Sequence, residues 1–523
     1  MTLGRTPVQG DVFWSSTMLV GGRVDPTSLY GILFREGDRL FPDDMFGDLF
    51  TTRGRACVPP RIIATVMVLQ RAEGLSDRDA VERFEFDSRW KYACGGLDLN
   101  YPGFVHTVLV DMRARLRASD DPDRVFKVVL DVARSAGLVG RRRVLDSTAL
   151  YDAVATMDTV TLVRSAIRGV LAVVDDATGV RLRAGLCRDD DYVAPGKPVC
   201  AWDDRVAREQ LIDELTRDAL SVLAGLDGQD LGWEARRAAD LLATVAGQDV
   251  EEDGAGRFRI VRRVAPDRVI STVDPQTRHG HKTSSRRFDG YKAHIALDPD
   301  SEIITATAVT PGNTGDAVPA LGLVADVMPP DGQSAEDGVA VYGDASYGAG
   351  PVLAVLHEAE VDVKCKVQPP VNRDGLYPKD QFNVDLDAGR VTCPAGHSVK
   401  IRWNKEGGGG VAGFGVACRI CPLRAACTTA SNGRKVHIDR YEADLQKERQ
   451  RQLDPTWKAD YQATRPKVER HFQHLTRHGN RRARVRGQTR VAADFTMLAA
   501  ALNLARLAIL GVYYQPQQGW TAG

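Results

Sequence analysis

Charge of one sign is the first thing this sequence lacks: Lys and Arg number 69, Asp and Glu number 69, and the formal net charge is +0. Bulk electrostatics therefore give no pull toward a polyanion, and any contact with nucleic acid has to come from local patches. A signal peptide is lacking too, because MTLGRTPVQGDVFW has no basic start running into an unbroken apolar stretch. The expected location is the cytoplasm, a reducing compartment. Nor is there a disulfide framework. The nine cysteines are an odd count, and Cys418, Cys421 and Cys427 crowd together, which suits metal ligation better than bridging. A long uninterrupted hydrophobic run is also missing. The stretch 491–512 comes nearest, but Asp494, Asn503 and Arg506 lie inside it. An unpaired Asp or Arg in hydrocarbon costs about 2.5–3.5 kcal/mol, so this stretch reads as a core helix and no membrane is expected as a partner.

What is present is a chain long enough for several domains: 523 residues, 43% hydrophobic and 26% charged. In the first section PPRIIATVMVLQRAEGL has apolar residues at helical spacing. Ser76 with Asp79 three residues on predicts a capped second helix through DAVERFEF, and FVHTVLVDMRARLRA predicts a third. Short helices joined by tight turns fit a helix-turn-helix-like module or an ordinary helical bundle equally well. From about residue 203 to 251 the pattern is helical again, broken by turn signals at Gly225 and Gly228. Then RFRIVRRV, FDGYKAHIAL and EIITATAV read as short strands, the last two joined by a turn at Asp298-Pro-Asp-Ser. A helix over DAVPALGLVADV, a strand over GVAVYGDA, another helix and a strand over VDVKCKV follow. With VLDST near Asp146 this gives an α/β class: a mixed sheet of about five strands flanked by helices. The stretch 368–454, rich in Gly, Cys and turn residues, interrupts the rhythm as an inserted subdomain.

Two aspartates, Asp146 and Asp344, follow apolar residues directly at the ends of predicted strands. Reactive groups of open sheets stand there, although Asp is also a common helix or turn cap. A third carboxylate, Glu469, lies on a predicted helix that starts or kinks at Pro466 and whose Val468, Phe472 and Leu475 form a face to bury. Arg465, four residues before Glu469, is on its side, able to steady it and to touch a phosphate. Three converging carboxylates repel one another unless cations join them. Hard oxygen ligands suit Mg²⁺ or Mn²⁺, and two such ions about 3.5–4 Å apart clamp the attacking and leaving oxygens of a phosphoryl transfer.

At this point the residues resemble the DDE transposases of bacterial insertion sequences. VLQRAEGLSDRDAVERFEFDSRWKYACGG and YPGFVHTVLVDMRARL are similar to that family's helical N-terminal part. VLDSTAL, STVDPQTRHGHKTSSRRFDGYKAHIALD, ITATAVTPGNTGD and VYGDASYG are similar to its successive core strands, and RPKVERHFQHLTRHGNRRARVRG to its glutamate helix. The resemblance implies an RNase H-like core and carries the family's three acidic residues onto Asp146, Asp344 and Glu469. In the family's Tyr-x2-Arg-x3-Glu-x6-Lys signature Arg465 and Glu469 keep their spacing, Tyr461 is one residue too far upstream, and Thr476 with Arg477 next to it stands at the lysine position.

The implied layout is a helical DNA-binding part over 1–135, a core in three pieces over 136–160, 265–370 and 455–515, a mainly helical insertion over 161–264 and a cysteine-containing one over 371–454. In the second insertion Cys393, Cys418, Cys421 and Cys427 are candidates for a tetrahedral structural Zn²⁺, with His397 as a substitute ligand. Cys57, Cys94, Cys187, Cys200 and Cys365 read as ordinary buried thiols. A basic segment with Arg477, Arg481, Arg482, Arg484, Arg486 and Arg490, together with Lys292 and Arg465, is the expected contact to DNA phosphates. The implied activity is metal-dependent cleavage at an element's terminal inverted repeats and joining to target DNA, by a homodimer assembled on DNA in a bacterial nucleoid. An RNase H-like nuclease that never joins would share every carboxylate; a silent DNA-binding regulator is the other alternative, against which the three intact carboxylates argue.

Overall fold

The computed structural model describes residues 1–7, 14–152, 154–283, 286–330, 332–372, 374–405, 407–469 and 480–523. Its centre is a mixed sheet of six strands: β1 (Arg142–Tyr151), β2 (Arg278–Thr283), β3 (Arg286–Leu297), β4 (Ile304–Pro311), β5 (Ala340–Gly343) and β6 (Asp362–Cys365). The long strand β3 runs antiparallel to β1, β2 and β4, while β1, β5 and β6 are parallel neighbours in that order. The expected mixed sheet is present with one strand more. RHGHKT, with its Gly and two His, lacks the alternation that marks a strand, yet it pairs as β2. RFRIVRRV shows the alternation but contributes only Phe258–Ile260, in a separate two-stranded ribbon with Val250–Glu252. The expected helix over DAVPALGLVADV shortens to Ala320–Leu323, after Pro319.

Side chains alternate across the sheet, and each face has its own core. Val144, Ile295 and Tyr342 face the N-terminal helices and the long helix Gln488–Ile509, while Leu145, Ala296 and Val341 face the helix Gly350–Glu358. The N-terminal helices, among them Pro60–Glu73, Thr107–Ala118 and Arg124–Ser135, thus share one hydrophobic core with the sheet. The expected cap on Asp77–Phe86 is a full capping box between Ser76 and Asp79. Gln488–Ile509 has the length and hydropathy of a membrane span, but it is largely buried against helices and β4.

Between β1 and β2 the chain makes a helical excursion with its own core, in which Leu162, Ile167, Leu215, Val222 and Leu242 are buried. The Met157 N–H donates to the Ile270 carbonyl at 2.9 Å, bringing the two ends of the excursion together. A further small core gathers Phe382, Val391, Phe414, Cys418, Cys427 and Val436.

Candidate active site

Asp146 lies in the middle of β1 and not at its end, yet the pairing explains its reach. β5 accompanies β1 only from Arg142 to Val144, partnered with Ala340 to Tyr342. Continuing that parallel register sets Asp146 beside Asp344, the first residue after β5. Alternation puts Asp146 on the face of Val144. On that side stands the helical stretch 466–469, anchored by the fully buried Val468. The rest of the expected glutamate helix, with Phe472, Leu475, Thr476 and Arg477, lies outside the described residues.

Arg465 joins the carboxylates. Its Nη2 is 3.0 Å from Asp146 Oδ1 and its Nη1 is 3.7 Å from Glu469 Oε1. The guanidinium is nearly buried, and Nε and Nη1 have no hydrogen-bond partner among the described residues. Burial works against its charge; Asp146 first, then Tyr461, Asp344 and Glu469, outweigh this and hold its pKa above the ordinary arginine value. For Asp146 burial dominates: it pushes the carboxyl up to about 6, with Asp344 pushing the same way and Arg465 and the Ser147 N–H pulling against them. Asp344 caps its turn by accepting the Ser346 N–H at 2.8 Å. Tyr461, the displaced signature tyrosine, is buried and donates to the Gly343 carbonyl at 3.3 Å, bracing the end of β5.

All three carboxylates line one cleft of about 880 Å³ with Lys292, Arg465 and Arg481. Lys292 is held by Asp316 at 2.8 Å and by the Thr314 carbonyl at 2.8 Å. Asp316, which also accepts from the Ser147 hydroxyl at 2.8 Å, is a fourth carboxylate of the cleft. Sequence reasoning passed over it, although its PGNTGD stretch follows β4 directly and turns back toward the cleft. Arg481 is fixed by its backbone, because the segment 481–483 is pinned to the end of β1 by two 2.7 Å bonds with Tyr151. Two other predicted phosphate contacts face elsewhere. Arg482 lines a neighbouring cavity with Ser76 and Asn480, and Arg484 is bonded to the Leu75 carbonyl of the N-terminal helices.

Residues 392–508 match a family described as a transposase DDE domain, and residues 27–115 match one described as a transposase domain. Both matches support reading the chain as an insertion-sequence DDE transposase. The first match contains Glu469 and Arg465, and the second spans the helical N-terminal part; Asp146 and Asp344 lie between them. No curated protein and no solved structure matches the chain.

Cys393, Cys418, Cys421, Cys427 and His397 line one small apolar cavity with Phe382 and Phe414. The Cys393 N–H donates to the His397 carbonyl at 2.9 Å, closing a tight turn through Gly396, whose φ is +82°. The Arg434 N–H donates to Cys418 Sγ at 3.4 Å. All nine cysteines are unbridged. Cys94 and Cys365 are the buried thiols expected, whereas Cys187 is exposed. As their side chains stand, no three His, Cys, Asp or Glu among the described residues are grouped closely enough to hold a metal.

Proposed function

We propose that the cleft cuts DNA strands at an element's terminal inverted repeats and joins the freed 3′ ends to target DNA, on a sheet of RNase H-like type. The observation that carries this is the placing of Asp146 beside Asp344 across parallel strands, with Arg465 linking Asp146 to Glu469. The β4-β3-β1-β5-β6 order, with only β3 reversed, supports the RNase H-like reading.

The donor set fits hard divalent cations. Asp146, Asp344 and Glu469 offer only oxygens to an open cleft, and Asp146, whose pKa is raised first by burial and then by Asp344, is not fully offset by Arg465. Mg²⁺ or Mn²⁺, two ions in the full site, would be held by these three and would supply an activated water and charge stabilisation at the phosphorus. The chain's own residues do the rest. Arg465 holds Asp146 and stands within ion-pair range of Glu469, and Arg481 and Lys292 present cations to backbone phosphates, Lys292 aimed by Asp316. Joining two element ends calls for two copies of the chain, so the active assembly is a homodimer on DNA.

The test is cleavage and strand transfer of a labelled duplex carrying the element's own ends, with Mg²⁺ or Mn²⁺. Wild type is expected to cut and join, and Asp344→Asn and Glu469→Gln to lose at least about 100-fold in rate while still binding DNA. Full cleavage by Asp344→Asn overturns the site. Cutting without joining makes the chain a nuclease, and end binding without cutting makes it a regulator.

The cysteine cluster is proposed as a structural Zn²⁺ site. Its four thiols converge on one cavity, a hairpin knuckle presents Cys393, and an amide N–H is aimed at Cys418 sulfur. Purified protein should carry one zinc per chain by elemental analysis, and Cys418→Ser/Cys421→Ser should carry none; equal zinc in both removes the proposal.

A further inference from the structure

The basic segment after Glu469 serves two places. Beyond Arg481 it turns to the helices Pro60–Glu73 and Thr107–Ala118, and a second cavity lies where the two family matches meet. Four guanidinium groups line it, those of Arg71, Arg113, Arg117 and Arg490, against the single carboxylate of Asp494. Asp77 adds partial balance from outside, accepting from Arg113 at 2.5 Å.

Arg71 is the anomaly. Its side chain is 5% exposed, its Nε stands 3.3 Å from Asp494, and Nη1 has no hydrogen-bond partner among the described residues. Burial lowers its pKa, Arg484 and Arg113 lower it further, and Asp494 only partly offsets them. Arg117 is depressed likewise, by burial and then by Arg490 and Arg113. A buried guanidinium with donors left over, crowded by further cations at the cavity, is costly unless an anion completes the set. At about 30 Å³ the space admits roughly two or three atoms the size of a phosphate oxygen and excludes a base. Forked guanidinium donors match such an oxyanion.

We propose that this cavity holds a backbone phosphate of duplex DNA, gripped by Arg71, Arg113, Arg117 and Arg490. The proposal rests on the reading of the chain as a DNA-acting transposase. Continuity selects DNA over a free anion: the segment 481–485 leads from Arg481 in the catalytic cleft past Arg482 and Arg484, which line the neighbouring cavity, to Val485 at this one. One DNA backbone following it would touch the core and the N-terminal helices in turn.

The experiment uses the full chain without metal and a random-sequence duplex, with affinity read by fluorescence anisotropy over a series of KCl concentrations. Arg117→Gln/Arg490→Gln is expected to bind several-fold more weakly and to flatten the log–log salt slope by up to about 0.9, the share of the one phosphate held there. Arg181→Gln, an exposed arginine of the helix Asp176–Ala184, should match wild type. Arg490→Glu, at an exposed position, repeats the test by charge reversal should the double variant unfold. Inorganic phosphate, at matched ionic strength, should raise the melting temperature of wild type and not of the variants. Wild-type affinity and slope in the variants overturn the proposal. Phosphate stabilisation with an unchanged DNA slope also overturns it, leaving a site for a free anion. No metal or cleavage enters, so this result and the fate of Asp344→Asn are separable.

Discussion

A carboxylate that loses water and gains a like-charged neighbour holds its proton longer, and Asp146 does so up to about pH 6. The sign of the effect on stability follows. With its folded pKa above the unfolded value of about 3.9, Asp146 favours the folded metal-free chain below that value, and the contribution is lost as pH rises toward 6. Melting temperatures in chelator should therefore fall from pH 4 to 6 more steeply in wild type than in Asp146→Asn; parallel curves would refute the assignment. Metal affinity should climb over the same interval, since the ligand must shed its proton. At this scale the sequence was informative about candidates and silent about partnership. Asp344, Arg465 and Glu469 were singled out from a strand end and helix spacing, while Asp146, expected at a strand end, lies mid-strand and reaches the cleft because β5 pairs with β1 only as far as Val144. That Arg465 reaches Asp146 as well as Glu469 was not legible, because the contact joins segments far apart in the chain.

The helix Gln488–Ile509 carries a buried Asn503, and the β4 edge explains it. Its side-chain oxygen accepts the Ile304 N–H at 2.8 Å and its nitrogen donates to the Ile304 carbonyl at 2.8 Å, as a neighbouring strand would. Asn503→Leu keeps the volume but strands both backbone groups, and urea unfolding should show a loss of about 2–4 kcal/mol. Asn503→Asp, which keeps one of the two bonds, should lose the donor's share and become worse as pH rises. The sequence revealed that this helix was a core element because polar residues interrupt it, but not which backbone those residues serve. The same limit explains β2: an edge strand of RHGHKT buries too little on either side to write an alternating pattern. RFRIVRRV wrote one for a small ribbon, and periodicity does not say which sheet a strand will join.

Across the whole molecule, the balance of charge hides an uneven distribution, with carboxylates gathered in one cleft and guanidinium groups in the next cavity. The helical excursion between β1 and β2 is the other large-scale feature. Its buried residues pack among themselves, so a fragment spanning 157–270 is expected to fold alone, with a helical circular dichroism spectrum and a cooperative melt. A fragment that is random coil would show that the sheet supports it. The meeting of Met157 and Ile270 bears on how the sheet assembles. Once the excursion folds, its ends are a few ångströms apart, and β1 and β3 pair as though joined by a short connection. Even unfolded, a loop's closure cost rises only by about 0.6 kcal/mol for each doubling of its length. Helices can therefore be added to or removed from this excursion with little change in the free energy of bringing β1 and β3 together.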